Sequence, residues 1–238
     1  MLLQTLLLVP AVAALATRGP ERSHVRRDFI SNNWCGQVLS GSAIRDVSAS
    51  WVVPAASPLR SQNHGQPVHN YQWVGIDGAT AECQAILQAG TYARLEKNRL
   101  TYGFWYEFYP LNSWLMDEPV VRPGDTVFVQ VTAHNSTSGT AYMENRTTGQ
   151  KATIALNAPA GSALCGSTAE WIQEDATGGL APFNTFSFDE CRATEAGGHV
   201  RTLEGSERWF LRPADHTLCY PSDVARDSVR INYSGPLA

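Results

Sequence analysis

The chain has 238 residues and a formal net charge of −4, long enough for one large domain with a real core or for two small ones. Its 18 Lys and Arg stand against 22 Asp and Glu, which leaves no basic footprint for nucleic acid or anionic lipid. The first 16 residues are apolar but too few to span a bilayer, and no later stretch is long or apolar enough to do so.

That first run, MLLQTLLLVPAVAALA, ends in Ala14-Leu15-Ala16, the small-x-small pattern of a signal-peptidase site. It is read as a secretion signal, although no Lys or Arg precedes the apolar stretch. Residues 17–27, TRGPERSHVRR, end in the dibasic pair Arg26-Arg27 and point to a short pro-segment; the alternative is a leader that nothing cuts. Residues 28–238 are then the mature part. Losing 1–27 removes four Arg and one Glu and takes the net charge to −7. Such a domain approaches neutrality in acid as its carboxylates protonate.

From residue 28 onward the pattern is β. Strands are expected at 47–53, 70–76, 102–109, 127–131, 140–145, 152–156, 169–174, 184–188, 199–203, 207–211 and 228–233, separated by Gly, Pro, Asn and Ser turns. No window gives a helical stripe capped at both ends. Many short strands with no internal repeat and no break in composition argue for a single antiparallel sandwich or barrel.

Two of these strands carry chemistry. In 102–109, Tyr102, Phe104, Tyr106 and Phe108 share one face, while Trp105, Glu107 and Tyr109 share the other. A strand bulky on both sides is central in a sandwich, or packs a core below and lines a groove above. Glu107 is then a group on an aromatic floor, or a surface glutamate at a strand edge. In AEWIQED (169–175), Glu170, Ile172 and Glu174 share one face. Facing water, such a row is unremarkable; lining a cleft, it holds two carboxylates close enough to make an acid or a base.

Five cysteines, Cys35, Cys83, Cys165, Cys191 and Cys219, contain no C-x-x-C pair, so two disulfides and one odd thiol are expected in an oxidising compartment. Sequons begin at Asn135, Asn145 and Asn232. There is no G-x-S-x-G elbow, D-T-G or D-S-G loop, H-E-x-x-H, P-loop or G-x-G-x-x-G, and the six histidines form no close ligand pair. No metal or other cofactor is expected. An enzyme of this composition works through carboxylates and amides. Up to this point a jelly-roll glycosidase using Glu107, Glu170 and Glu174 and a lectin-like module remain open.

Seven blocks then resemble, in order, the glutamic peptidases (eqolisins): NWCGQVL (33–39), WVGIDG (73–78), AILQAG (85–90), WYEFYP (105–110), PGDTVFVQVTA (123–133), ENRTTGQ (144–150) and AEWIQED (169–175). The resemblance implies an all-β fold, an antiparallel β-sandwich of the concanavalin-like jelly-roll kind, acting as a secreted, monomeric acid endopeptidase on polypeptides. It implies Gln88 and Glu174 as the catalytic pair, and Trp34, Trp73, Asp77, Glu107 and Glu170 as supporting or substrate-contact residues. It further implies a Cys83–Cys165 bridge, with Cys191–Cys219 as the second pair and Cys35 as a buried free thiol. In chemical terms, an ionised Glu174 would deprotonate water and pass the proton to the leaving nitrogen. The Gln88 amide, both donor and acceptor, would hold that water and the oxyanion. The carboxyl must then stay ionised in acid. One departure stands out: Tyr92 occupies a position where the family tends to carry an aspartate, which keeps open a less acid-shifted enzyme or a catalytically impaired member binding peptide or glycan in the same cleft.

Overall fold

The computed structural model describes residues 28–58, 67–97 and 99–236; the leader segments 1–16 and 17–27 lie outside the described residues. Sixteen strands form and no helix is present among these residues. They are β1 (Asp28–Ser31), β2 (Trp34–Ser40), β3 (Ile44–Val52), β4 (Val68–Ile76), β5 (Ile86–Glu96), β6 (Arg99–Tyr109), β7 (Trp114–Leu115) and β8 (Thr126–Asn135). The second half continues with β9 (Ser138–Asn145), β10 (Gln150–Asn157), β11 (Thr168–Asp175), β12 (Phe186–Glu195), β13 (Val200–Arg201), β14 (Glu207–Leu211), β15 (Cys219–Ser222) and β16 (Val229–Tyr233).

They follow one another in a single curled sheet, β10-β9-β8-β3-β12-β16-β15-β14-β2-β11-β4-β5-β6-β7, with β1 added on β14 and β13 on β12. The curl brings two halves face to face as a sandwich. Val47, Ala49 and Trp51 of β3, Val127, Val129 and Val131 of β8 and Phe188 of β12 share one buried cluster with Val74, Leu87, Phe104 and Trp171 of the other half. All-β architecture with a sandwich core is therefore what the alternating pattern implied.

A second apolar cluster lies on the far side of β2, β11, β4, β5 and β6, built from Trp34, Val38, Tyr71, Trp73, Tyr92, Trp105, Ile172 and Trp209, among others. These five strands are thus buried on both faces. That is why β2 and β5, which have no polar–apolar alternation, were not among the expected strands. Gly90 of β5 shows how closely the strands approach: a Cβ there would fall 1.8 Å from the Gln72 carbonyl oxygen. Only glycine fits.

On the core side of the same strands a buried polar ladder fixes their register. Trp51 Nε1 donates to Thr91 Oγ1 (3.0 Å), Thr91 Oγ1 to Gln72 Oε1 (2.9 Å) and Gln72 Nε2 to Gln173 Oε1 (2.8 Å). A one-residue slip would turn every member of this row toward the cleft and strand its partners.

The Cys83–Cys165 bridge is present, whereas the second bridge is Cys35–Cys219 and the buried free thiol is Cys191. This corrects both the expected Cys191–Cys219 pair and the expected free Cys35. The reason lies in how β14 is paired. β1 takes one edge of β14; on the other, β2 pairs as far as Trp209 and β15 takes over at Leu211. Cys35 and Cys219 therefore arrive in succession along one edge, Cα atoms 5.9 Å apart.

One sequon is also corrected. Asn145 is fully buried and its Nδ2 donates to the Val120 carbonyl (2.9 Å) and to Asp125 (2.8 Å), which leaves no room for a glycan in this fold. Asn135 is exposed and Asn232 partly so.

Candidate active site

The cleft, about 890 Å³, lies over the second apolar cluster, and Trp34, Gln88, Glu107 and Glu174 line it together. Each comes from a different strand of the five-strand run β2-β11-β4-β5-β6, and pairing across that run decides who meets whom. Glu174 is opposite Trp34 on one side and Tyr71 on the other. Gln88 is opposite Gly75 on one side and Glu107 on the other.

Glu174 is held at both oxygens. Asn33 Nδ2 donates to Oε1 (3.1 Å) and Trp73 Nε1 donates to Oε2 (2.9 Å). Burial nevertheless pushes its carboxyl up to about 7, with Trp73, Trp34 and Asn33 opposing the rise and the Asp175 charge adding to it. The expectation was a group that stays ionised in acid; here desolvation outweighs the donors and favours the protonated form.

Gln88 is 4% exposed. Its Nε2 donates one hydrogen to Glu107 Oε2, while its Oε1 has no partner among the described residues. One N–H and the carbonyl oxygen of the carboxamide are thus uncommitted. Glu107 is also pushed up to about 7, chiefly by burial, with the Gln88 bond opposing and the Glu174 charge adding. Two carboxyls and one amide share the cleft, and the Glu174 charge disfavours ionisation of Glu107.

The remaining expected residues take other places. Trp73 does not line the cleft; it braces Glu174 from below. Asp77 lies away from the cleft and accepts from the backbone N–H groups of Cys165, Gly166, Ser167 and Thr168 and from the Ser167 hydroxyl. It ties the loop entering β11 to the end of β4, beside the Cys83–Cys165 bridge. Glu170, on the same face as Glu174, is fully buried, and neither carboxyl oxygen has a partner among the described residues. Burial raises its pKa well above the ordinary range, with the neighbouring Thr168 hydroxyl opposing the rise without reaching hydrogen-bond geometry and the Asp77 charge adding to it.

Sequence reasoning did not assign Asn33, Tyr71 or Trp209. Asn33 sat in the quoted NWCGQVL block as a donor one residue before Trp34. Tyr71 stacks on Trp105 (4.3 Å, interplanar angle 23°) and shares hydrogen bonds with His69 Nδ1 and Ser113 Oγ, both 3.3 Å. Tyr92 lies directly opposite Tyr71, in the row that begins with Glu174. Tyr92 is a buried aromatic in that row.

The Peptidase A4 family profile matches residues 32–233. The chain is 32% identical over 222 residues to aspergillopepsin-2 of Aspergillus niger, covering 85% of this chain and 78% of that protein. It is 37% identical over 183 residues to scytalidopepsin B of Scytalidium lignicola, covering 72% and 66%. Among solved structures, scytalido-glutamic peptidase with a transition state analog inhibitor matches with a TM-score of 0.74 at 31% identity, over 86% of this chain and 99% of that one. Aspergilloglutamic peptidase from Aspergillus niger matches with a TM-score of 0.63 at 33% identity, over 70% and 99%. With a match of this extent on a sandwich whose cleft sets a donor-held glutamate near a glutamine, the chain belongs to the Peptidase A4 (eqolisin) family and is a glutamic endopeptidase.

Proposed function

We propose that the protein is a secreted endopeptidase that hydrolyses polypeptides in acid through Glu174 and Gln88. One observation carries the catalytic assignment. In a single cleft, a glutamate raised to about 7 shares space with a carboxamide whose oxygen and one N–H are unclaimed.

Below pH 7 the free enzyme starts with Glu174 protonated. A water held by Gln88 Oε1 attacks the scissile carbonyl as Glu174 gives its proton to the carbonyl oxygen. The free N–H of Gln88 steadies that oxygen while charge builds on it. The Glu174 carboxylate takes the water's proton, leaving a neutral tetrahedral diol, and then delivers a proton to the departing nitrogen. Collapse returns one hydroxyl proton to Glu174, and atoms and charges balance over the cycle. Glu107 keeps the carboxamide in this orientation through its bond from Nε2.

Two disulfides and the leader expected at 1–16 support a secretory route. Asn135 is the sequon best exposed for a glycan. Cleavage of a denatured protein substrate at acid pH, with Glu174→Gln and Gln88→Ala alongside, tests the reading. Activity lost in both variants and unaffected by pepstatin supports it, and activity retained in either variant overturns the pair.

A further inference from the structure

The cleft continues past Glu174 onto an aromatic wall that the proposed chemistry leaves unused. Trp209 of β14 lines the cleft, opposite Gly36 of β2. The Trp209 indole packs on Trp34, ring centroids 5.6 Å apart and tilted by 38°. Phe29 of β1 stacks on the other side of Trp209 at 4.1 Å and 26°. Trp34 meets Trp73 edge-on at 5.0 Å, so ring contacts run from the buried indole holding Glu174 out to the exposed Phe29.

Three features of this wall suit a ligand better than they suit packing. Phe29 is 47% exposed, a large apolar ring left to solvent beside a cleft. Trp209 is only 9% exposed, yet its Nε1 donor has no acceptor among the described residues. A buried indole N–H of this kind normally has a partner. Finally, Arg208 beside the wall is already paired with Asp28 through two hydrogen bonds and offers no free cation there.

We propose that Trp34, Trp209 and Phe29 form a substrate subsite for a large apolar, above all aromatic, side chain of the bound polypeptide, with Trp209 Nε1 donating to a peptide carbonyl of the same segment. The occupant follows from continuity with the cleft and from the exposed ring of Phe29 at its end. An aromatic ring laid on Phe29 and Trp209 covers their exposed faces, and the carbonyl gives the indole its acceptor. The inference rests on the polypeptide-cleaving reading of the cleft.

The test measures binding rather than turnover, in the Glu174→Gln protein, so that no substrate is consumed. Peptides of ten residues carrying Phe, Leu, Ser or Lys at successive positions are titrated by isothermal calorimetry. At one position, Phe is expected to bind about tenfold more tightly than Ser, about 1.4 kcal/mol. Adding Phe29→Ala, a surface change, should reduce that preference to about twofold. Adding Trp209→Phe, which keeps a ring but removes the donor, should weaken all peptides by about 3- to 10-fold. Equal affinities at every position, preference for Lys, no peptide binding, or selectivity unchanged by Phe29→Ala would overturn the subsite. Selective binding in a protein whose wild type cleaves no polypeptide would leave the subsite standing and defeat the catalytic reading instead.

Discussion

The indole of Trp73 lies over Gly75 and reaches beneath the cleft to Glu174, so a glycine two residues away decides where the Glu174 carboxyl is held. A Cβ on Gly75 would fall 2.7 Å from Trp73 Cζ3, and the Trp73–Glu174 bond is 2.9 Å. Gly75→Ala is expected to push the ring aside and lower kcat/KM by about tenfold or more, the scale of one charge-assisted hydrogen bond. Because Trp73 opposes the rise in the Glu174 pKa, its loss also moves the upper pH limb to higher pH. A steady-state pH profile of Gly75→Ala beside Trp73→Phe reads both effects.

Glu174 and Glu107 are each pushed up to about 7 by burial. The proposed cycle needs a protonated Glu174, so kcat/KM should be level in acid and fall as pH rises through about 7. An acidic limb in the same place, with activity rising toward neutral pH, would show that the ionised carboxylate is the working form. Binding pH profiles for the Glu174→Gln protein separate this from effects on substrate affinity.

The buried Glu170 makes stability depend on pH. Its folded pKa lies above its unfolded value, so the native state binds the extra proton. The associated stability is fully present below the ordinary carboxyl range and is lost as pH rises toward the folded value. Glu170→Gln keeps the shape and cannot ionise. We expect it to change Tm little at pH 4 and to raise it by about 3 °C or more at pH 7.5, as followed by calorimetry. An equal shift at both pH values would mean the carboxyl is not the source.

Thr91 stands between Trp51 Nε1 and Gln72 Oε1. Thr91→Val is isosteric but leaves a buried donor and a buried acceptor unpaired. Each orphan costs about 1–3 kcal/mol, so urea denaturation should show a loss of about 2–5 kcal/mol with an unchanged slope.

The cysteines give a clean contrast. Cys191→Ser should leave both disulfides formed and no free thiol in the denatured protein. Cys35→Ala should release Cys219, open a bridge spanning 184 residues of sequence and cost about 4–5 kcal/mol in the chain-entropy model. Thiol titration and thermal unfolding distinguish the two variants.

How far the sequence alone reaches can be judged strand by strand. Strands with one wet face, such as β8, β9 and β10, announce themselves by alternation, and nearly all their expected spans lie inside the observed ones. The strands that build the site do not. β2 and β5 are buried on both sides and broken by Gly36 and Gly90, and the signal that found Gln88 was a family block rather than a periodicity. The face assignment in AEWIQED was legible, because residues i, i+2 and i+4 of a strand share a side whatever the fold. What that side meets was not, and Glu170 and Glu174 differ completely: one is sealed in without a partner, the other reaches the cleft.

By itself the sequence determined the β class, the alternation of each exposed strand and the residues competent for acid–amide chemistry, because these depend on side-chain type and local spacing. Tertiary structure decided the second disulfide, the burial of Asn145, the pairing of Gln88 with Glu107 and the elevation of Glu174. These depend on which strands become neighbours and how much water is excluded between them, quantities that no local stretch of chain contains.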